Sequence, residues 1–121
     1  MQAFLCACLM LCVLGCATTR ETTSPHTLSD AEIVSVQTGI QSFRKDLDAP
    51  RFRGFRAARS ADGQIYVCGW MNSRNSHGGY SEEQPFIGTL FGGQFVPDRL
   101  GKDQAQASTI FSECQRRGVG I

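Results

Sequence analysis

The chain has 121 residues, of which 12 are Lys or Arg and 11 are Asp or Glu, so its formal net charge is +1. That balance lacks the strong basic excess of a nucleic-acid-binding face, and no nucleic-acid partner is expected. The length, with 41% hydrophobic residues, suits one small domain with a modest core.

The first segment, MQAFLCACLMLCVLGCATT, is apolar or small without interruption over residues 3–15. Those 13 positions fall short of the roughly 20 that a membrane-spanning helix needs. They match the apolar core of a secretory signal. The run closes on Val13-Leu14-Gly15-Cys16, which resembles the lipobox of bacterial lipoproteins. The resemblance implies a cut before Cys16, a diacylglyceryl group on its sulfur, and acylation of the new amine. An ordinary signal cut near Ala17 is the alternative. Gly15 beside the cysteine, and the lack of charge in residues 1–19, favour the lipobox. One departure is the start, where a Lys or Arg is usual and only the Met1 amine is positive.

Cys6, Cys8 and Cys12 leave with such a signal and receive no structural role. Two or more acyl chains on Cys16 give stable attachment, so the membrane is expected as a partner through the anchor. In lipoproteins an Asp after the cysteine favours the inner membrane. Ala17 stands there, so the resemblance implies the periplasmic side of the outer membrane. The expected layout is a signal over 1–15, a lipid-anchored flexible tether over 16–27, and a single domain over 28–121. The tether, ATTRETTSPHT from Ala17, is rich in Thr and Ser without apolar periodicity, and its His26 is expected to be inert.

The first helix is announced by Leu-Ser-Asp-Ala-Glu-Ile. Ser29 and Glu32 form a capping box, and Leu28 and Ile33 a hydrophobic staple. Ile33, Val36, Ile40, Phe43 and Leu47 then make one apolar stripe, with Pro50 as the expected stop. Asp62-Gly63 predicts a hairpin between strands near 53–59 and 64–72. In the second of these, Ile65, Val67, Gly69 and Met71 face one way, and Tyr66, Cys68, Trp70 and Asn72 the other. Gly92-Gly93 predicts a second hairpin joining 86–91 to 94–96. Asp103 caps a last helix carrying Ala107, Ile110, Phe111 and Cys114 on one face, and Gly118 stops it. The expected fold is α+β: a helix, about four short antiparallel strands in two hairpins, and a helix, with both helices on one face of the sheet.

Between residues 44 and 59 stand Arg44, Lys45, Arg51, Arg53, Arg56 and Arg59 against Asp46 and Asp48. This local excess reads first as a solvated face, and second as a surface for anionic headgroups or glycan. The polar stretch from Cys68 to Tyr80 raises a catalytic question, because Cys68 and His77 lie nine residues apart in it. A thiol nucleophile needs a histidine within hydrogen-bond reach and a third group to orient that histidine. Cys68 sits mid-strand, however, and in an oxidising compartment two cysteines of a small domain pair. The expectation is a Cys68–Cys114 disulfide. No ligand pair has zinc-like spacing, so neither a metal nor another cofactor is expected.

Val67, Cys68, Gly69, Asn72, Asn75, Gly78, Tyr80, Pro85 and Phe86 follow a pattern close to V-C-G-x-x-N-x-K-N-x-x-G-x-Y-x-x-x-x-P-F. The stretch of roughly 45–90 resembles a group of small bacterial proteins that commonly carry it behind a signal or lipobox. Arg74 replaces the expected Lys, and His77 stands where an aromatic is usual. The resemblance implies kinship and no particular chemistry. Asn and Ser favour turns by bonding neighbouring backbone, so the loop is first a scaffold. Its side chains Asn72, Arg74, Asn75, His77 and Tyr80 form the candidate recognition surface. The functional expectation is a membrane-anchored, non-catalytic binding module whose partner is an envelope protein or glycan. The alternative is a small hydrolase or metal-dependent enzyme using His77 and its neighbours.

Overall fold

The structure is a computed structural model and describes residues 22–121. In chain order the elements are β1 (Thr23–His26), α1 (Asp30–Phe43), β2 (Asp48–Ser60), β3 (Ile65–Arg74), β4 (Gln84–Phe91), β5 (Gln94–Leu100) and α2 (Gln104–Arg116). The five strands form one sheet in the order β1-β2-β3-β4-β5, every neighbouring pair antiparallel. The α+β class holds, with five strands in place of about four.

The capping box forms as the spacing requires. Glu32 N–H donates to Ser29 Oγ at 3.2 Å, and Ser29 N–H donates to Glu32 Oε1 at 2.9 Å. Val36 and Ile40 are buried, while Phe43 ends the helix 55% exposed. The stop comes earlier than Pro50, because Arg44 takes up the cap position. Leu47 still packs against the same core from outside the helix. Pro50 falls inside β2, between the register shift at Asp48 and Arg51, where a missing N–H interrupts no ladder bond.

Both hairpin turns form where expected. Gly92 and Gly93 have φ of 59° and 80°, the pair of positive values that a two-residue turn of the right twist demands. Asp103 caps α2 by accepting from Gln106 N–H at 2.8 Å. Gly118, at φ 77°, ends it in a Schellman motif: Val119 N–H donates to Cys114 O at 2.8 Å and Gly118 N–H to Gln115 O at 3.0 Å. Val119 is thereby buried beside Cys114.

The helices do not share a face. Val36 and Ile40 of α1 join Ile65, Val67, Met71, Phe86, Leu90 and Phe95 in one core. Ile110 and Cys114 of α2 join Tyr66, Cys68, Ile87 and Ala58 in another. Alternate residues of a strand point to opposite faces, so the two cores lie on opposite sides of the sheet and each helix covers one. The cause is β3, buried without a break from Ile65 to Gly69. A strand apolar on both faces needs a layer on each side, which one pair of helices on a single face cannot supply. Cys68 and Cys114, both fully buried, are joined by a disulfide, their Cα atoms 6.4 Å apart across 46 residues.

The segment expected as a tether is also revised. Residues 23–26 pair with 57–60 of β2 as an edge strand, and Thr23 Oγ1 donates to Arg117 O at 3.0 Å. His26 is engaged as well, its Nε2 3.2 Å from both carboxylate oxygens of Glu32. Four residues with backbone partners need no apolar alternation, which is why composition missed them. The signal segment 1–15, Cys16 and the tether up to residue 21 lie outside the described residues.

Candidate functional site

β2 runs on past β1. Its partner covers only Ala57–Ser60, so Asp48–Arg56 form an open edge of the sheet. On the inner side this stretch pairs with the end of β3: Asp48 with Arg74, Arg51 with Asn72, Arg53 with Trp70 and Arg56 with Cys68. Directly opposed residues share a face, so Arg51, Arg53 and Arg56 stand with Trp70, Asn72 and Arg74 on the side that α2 covers. Bulges at Asp48/Arg51 and Arg53/Arg56 twist the strand as it leaves the body of the sheet.

The polar loop is a closed tip on this end. Ser81 N–H donates to Ser73 O at 2.9 Å, and Arg74 and Tyr80 form a further bridge. Beyond them, Asn75 Oδ1 accepts from His77 N–H at 3.0 Å and from Gly79 N–H at 3.1 Å, while Asn75 N–H donates to Gly79 O at 2.7 Å. Asn75 is the organiser of the tip. Asn72 lies earlier, within β3, and its side chain makes no hydrogen bond among the described residues. His77 is exposed and engages the loop through its backbone.

Tyr80 carries the geometry. The Arg51 guanidinium lies 3.6 Å from its ring centroid and the Arg74 guanidinium 6.0 Å, both within cation–π range. Tyr80 Oη donates to Ala49 O at 3.3 Å. Ala49 has φ 45°, the one positive value on a non-glycine among the described residues. Such a backbone costs about 1–3 kcal/mol and persists where its surroundings hold it. At Ala49 the hydrogen bond from Tyr80 and the flanking bulge do so.

Next to this stack, Arg53 forms a two-bond ion pair with Glu83 and lies 5.4 Å from the Trp70 ring. Trp70 in turn packs on Phe111 of α2, ring centroids 5.1 Å apart. Hydrogen bonds from Arg53 hold the Glu83 carboxyl below its ordinary value. Arg51, Arg56 and Arg74 have no carboxylate partner among the described residues. The rest of the basic run is dispersed. Arg44 pairs with Asp46, and Arg59 lies opposite Ile65 on the other face.

Of the residues expected from sequence, Arg74, Asn75, His77 and Tyr80 come together at the tip. Cys68 does not join them chemically: its sulfur is bound to Cys114, so it cannot serve His77 as a thiolate. Among the described residues no three His, Cys, Asp or Glu side chains gather at metal-binding range. Sequence reasoning missed Arg51, Arg53, Trp70 and Glu83 as neighbours of the loop. The available signal was the two-residue spacing of Arg51 and Arg53, which puts both on one face of a strand. No family model matches the chain, and no curated protein or solved structure shows significant similarity to it.

Proposed function

We propose that this protein is a lipid-anchored module of the bacterial envelope that binds an anionic partner, without chemical turnover, through the arginine–aromatic end of β2 and β3. One observation carries the proposal: Tyr80 has Arg51 at 3.6 Å and Arg74 at 6.0 Å from its ring centroid, two guanidinium groups with no carboxylate of their own among the described residues. An arginine stacked on an aromatic ring keeps its N–H fork pre-organised, which suits two-point recognition of a carboxylate or phosphate. Exposed Arg56 extends the positive face along the open edge. The partner is an envelope glycan or protein presenting such groups. The Val13–Cys16 motif supports attachment at a membrane surface.

Photo-crosslinking in the intact envelope tests the surface. A photoreactive residue at exposed Ser76 is expected to capture a partner that one at exposed Ala61, on the opposite hairpin turn, does not. Arg51→Glu with Arg74→Glu is expected to abolish that capture. Equal capture from both positions, or capture indifferent to the charge reversal, would refute the assignment. For the anchor, Cys16→Ser is expected to release the protein from the membrane fraction. Mass spectrometry showing a mature chain with an unmodified Cys16 ends the lipoprotein proposal.

A further inference from the structure

A second surface feature lies at the other edge of the sheet, away from Tyr80. Between the end of α1, the last residues of β5 and the first half of α2 is a groove of about 460 Å³. Its apolar lining is the exposed Phe43 with the almost fully buried Leu100 and Ile110, and its cations are Arg44, Arg99 and Lys102. Leu100 belongs to the α1 core and Ile110 to the α2 core, so the two cores meet here around the edge of β5. Phe43, large and 55% exposed, stands at this junction. The volume falls within the range of small-molecule sites.

The charges on the rim are not balanced. Arg44 is held by Asp46 through two 2.8 Å hydrogen bonds. Nearby Asp98 pairs with Arg117 at 2.9 Å, and Asp103 accepts from Gln106 N–H at 2.8 Å to cap α2. Arg99 and Lys102 have no carboxylate within ion-pair distance among the described residues. Asp46, held down first by its hydrogen bonds from Arg44, is also within electrostatic reach of Lys102, so three cations face one carboxylate and Arg99 has none. Apolar lining beside this positive excess is complementary to one kind of molecule: an alkyl chain ending in an anion.

We propose that this groove binds a single-chain amphiphile of fatty-acid type, the chain lying on Phe43, Leu100 and Ile110 and the carboxylate between Arg99 and Lys102. Burial of successive methylenes supplies affinity, and the two cations set head-group selectivity. A neutral or cationic head of equal chain length would keep the first contribution and lose the second.

The test is calorimetric titration of the full-length chain carrying Cys16→Ser, so that no attached acyl group competes. The ligands are dodecanoate and dodecyltrimethylammonium, each below its micelle concentration. Saturable one-to-one binding of dodecanoate is expected, at least about tenfold tighter than the cationic amphiphile, a difference of about 1.4 kcal/mol. Arg99→Glu with Lys102→Glu should weaken dodecanoate to the level of the cationic ligand, while Arg59→Glu, an exposed position of β2 outside both surfaces, leaves it unchanged. Equal affinity for both heads, no saturable binding, or dodecanoate binding unaffected at Arg99 and Lys102 overturns the proposal. So does a self-association of the chain that closes the groove and excludes dodecanoate. Should the double variant melt early, the amide signals of Phe43 and Ile110 in the unmodified groove decide. Dodecanoate must shift both, and shifts confined elsewhere overturn the site.

Discussion

Replacing Cys68 and Cys114 together by Ala tests what keeps so small a domain folded. The disulfide spans 46 residues and ties the centre of the sheet to the last turns of α2. In the chain-entropy model a closed loop of that length lowers the entropy of the unfolded chain enough to stabilise the fold by about 4 kcal/mol. Both sulfurs are fully buried in the core under α2, so removing them also leaves small voids and adds to the loss. A domain of this size has about 5–15 kcal/mol of stability in total. The variant should therefore melt about 15–30 °C below the parent, since 1 kcal/mol shifts a domain of up to 100 residues by about 4–8 °C. Circular dichroism melts, with guanidinium titrations for the free energy, provide the measurement. Peptide mapping after thiol labelling of the parent, unfolded without reductant, should show neither cysteine modified. A variant melting within about 5 °C of the parent would falsify the assigned role. Label on both cysteines would remove the bond altogether.

In the loop, Asn75→Ala removes the acceptor of two backbone donors and should cost about 0.5–1.5 kcal/mol. His77→Phe and Asn72→Ala should stay within about 0.5 kcal/mol, and melts that rank His77→Phe as the most damaging would contradict the organising role of Asn75. Gly39→Ala in α1 has a helix-propensity gain of about 1 kcal/mol. Its new Cβ would nevertheless lie 2.7 Å from Phe95 O, so α1 must lift from β5 and a net loss is expected. A rise in melting temperature would show that the helix is not seated there. Acid should also weaken the fold. Glu32, bonded by the Ser29 backbone N–H, and Glu113, bonded by Arg116, are both held below their ordinary value of 4.5. Groups lowered by folding contribute stability that is present above 4.5 and is lost as pH falls through their folded-state values. Melting temperature should decline below about pH 4.5, and less steeply in Glu32→Gln with Glu113→Gln, where equal slopes would contradict the linkage.

The local devices of this fold are legible in the sequence because each is complete within a few residues. Ser29 and Glu32 satisfy each other's backbone donors, Asp103 and Gly118 close the two ends of α2, and Gly92-Gly93 supplies the two positive φ values of a tight hairpin. The alternation along β3 likewise assigns Ile65 and Val67 to one face and Tyr66 and Cys68 to the other. The pairing of Cys68 with Cys114 is legible because they are the two cysteines beyond residue 16. What lay beyond reach depends on partners distant in the chain. That the helices take opposite faces follows from β3 being buried on both, a demand visible only once α1 and α2 compete for room. β1 exists through backbone bonds to 57–60, which side-chain patterns do not record. Sequence also placed Tyr80 on the loop, but Arg51 reaches its ring from 29 positions earlier. Only pairing of β2 with β3 carries that arginine across, since register is set by the burial of a whole face and not by the residues at its end.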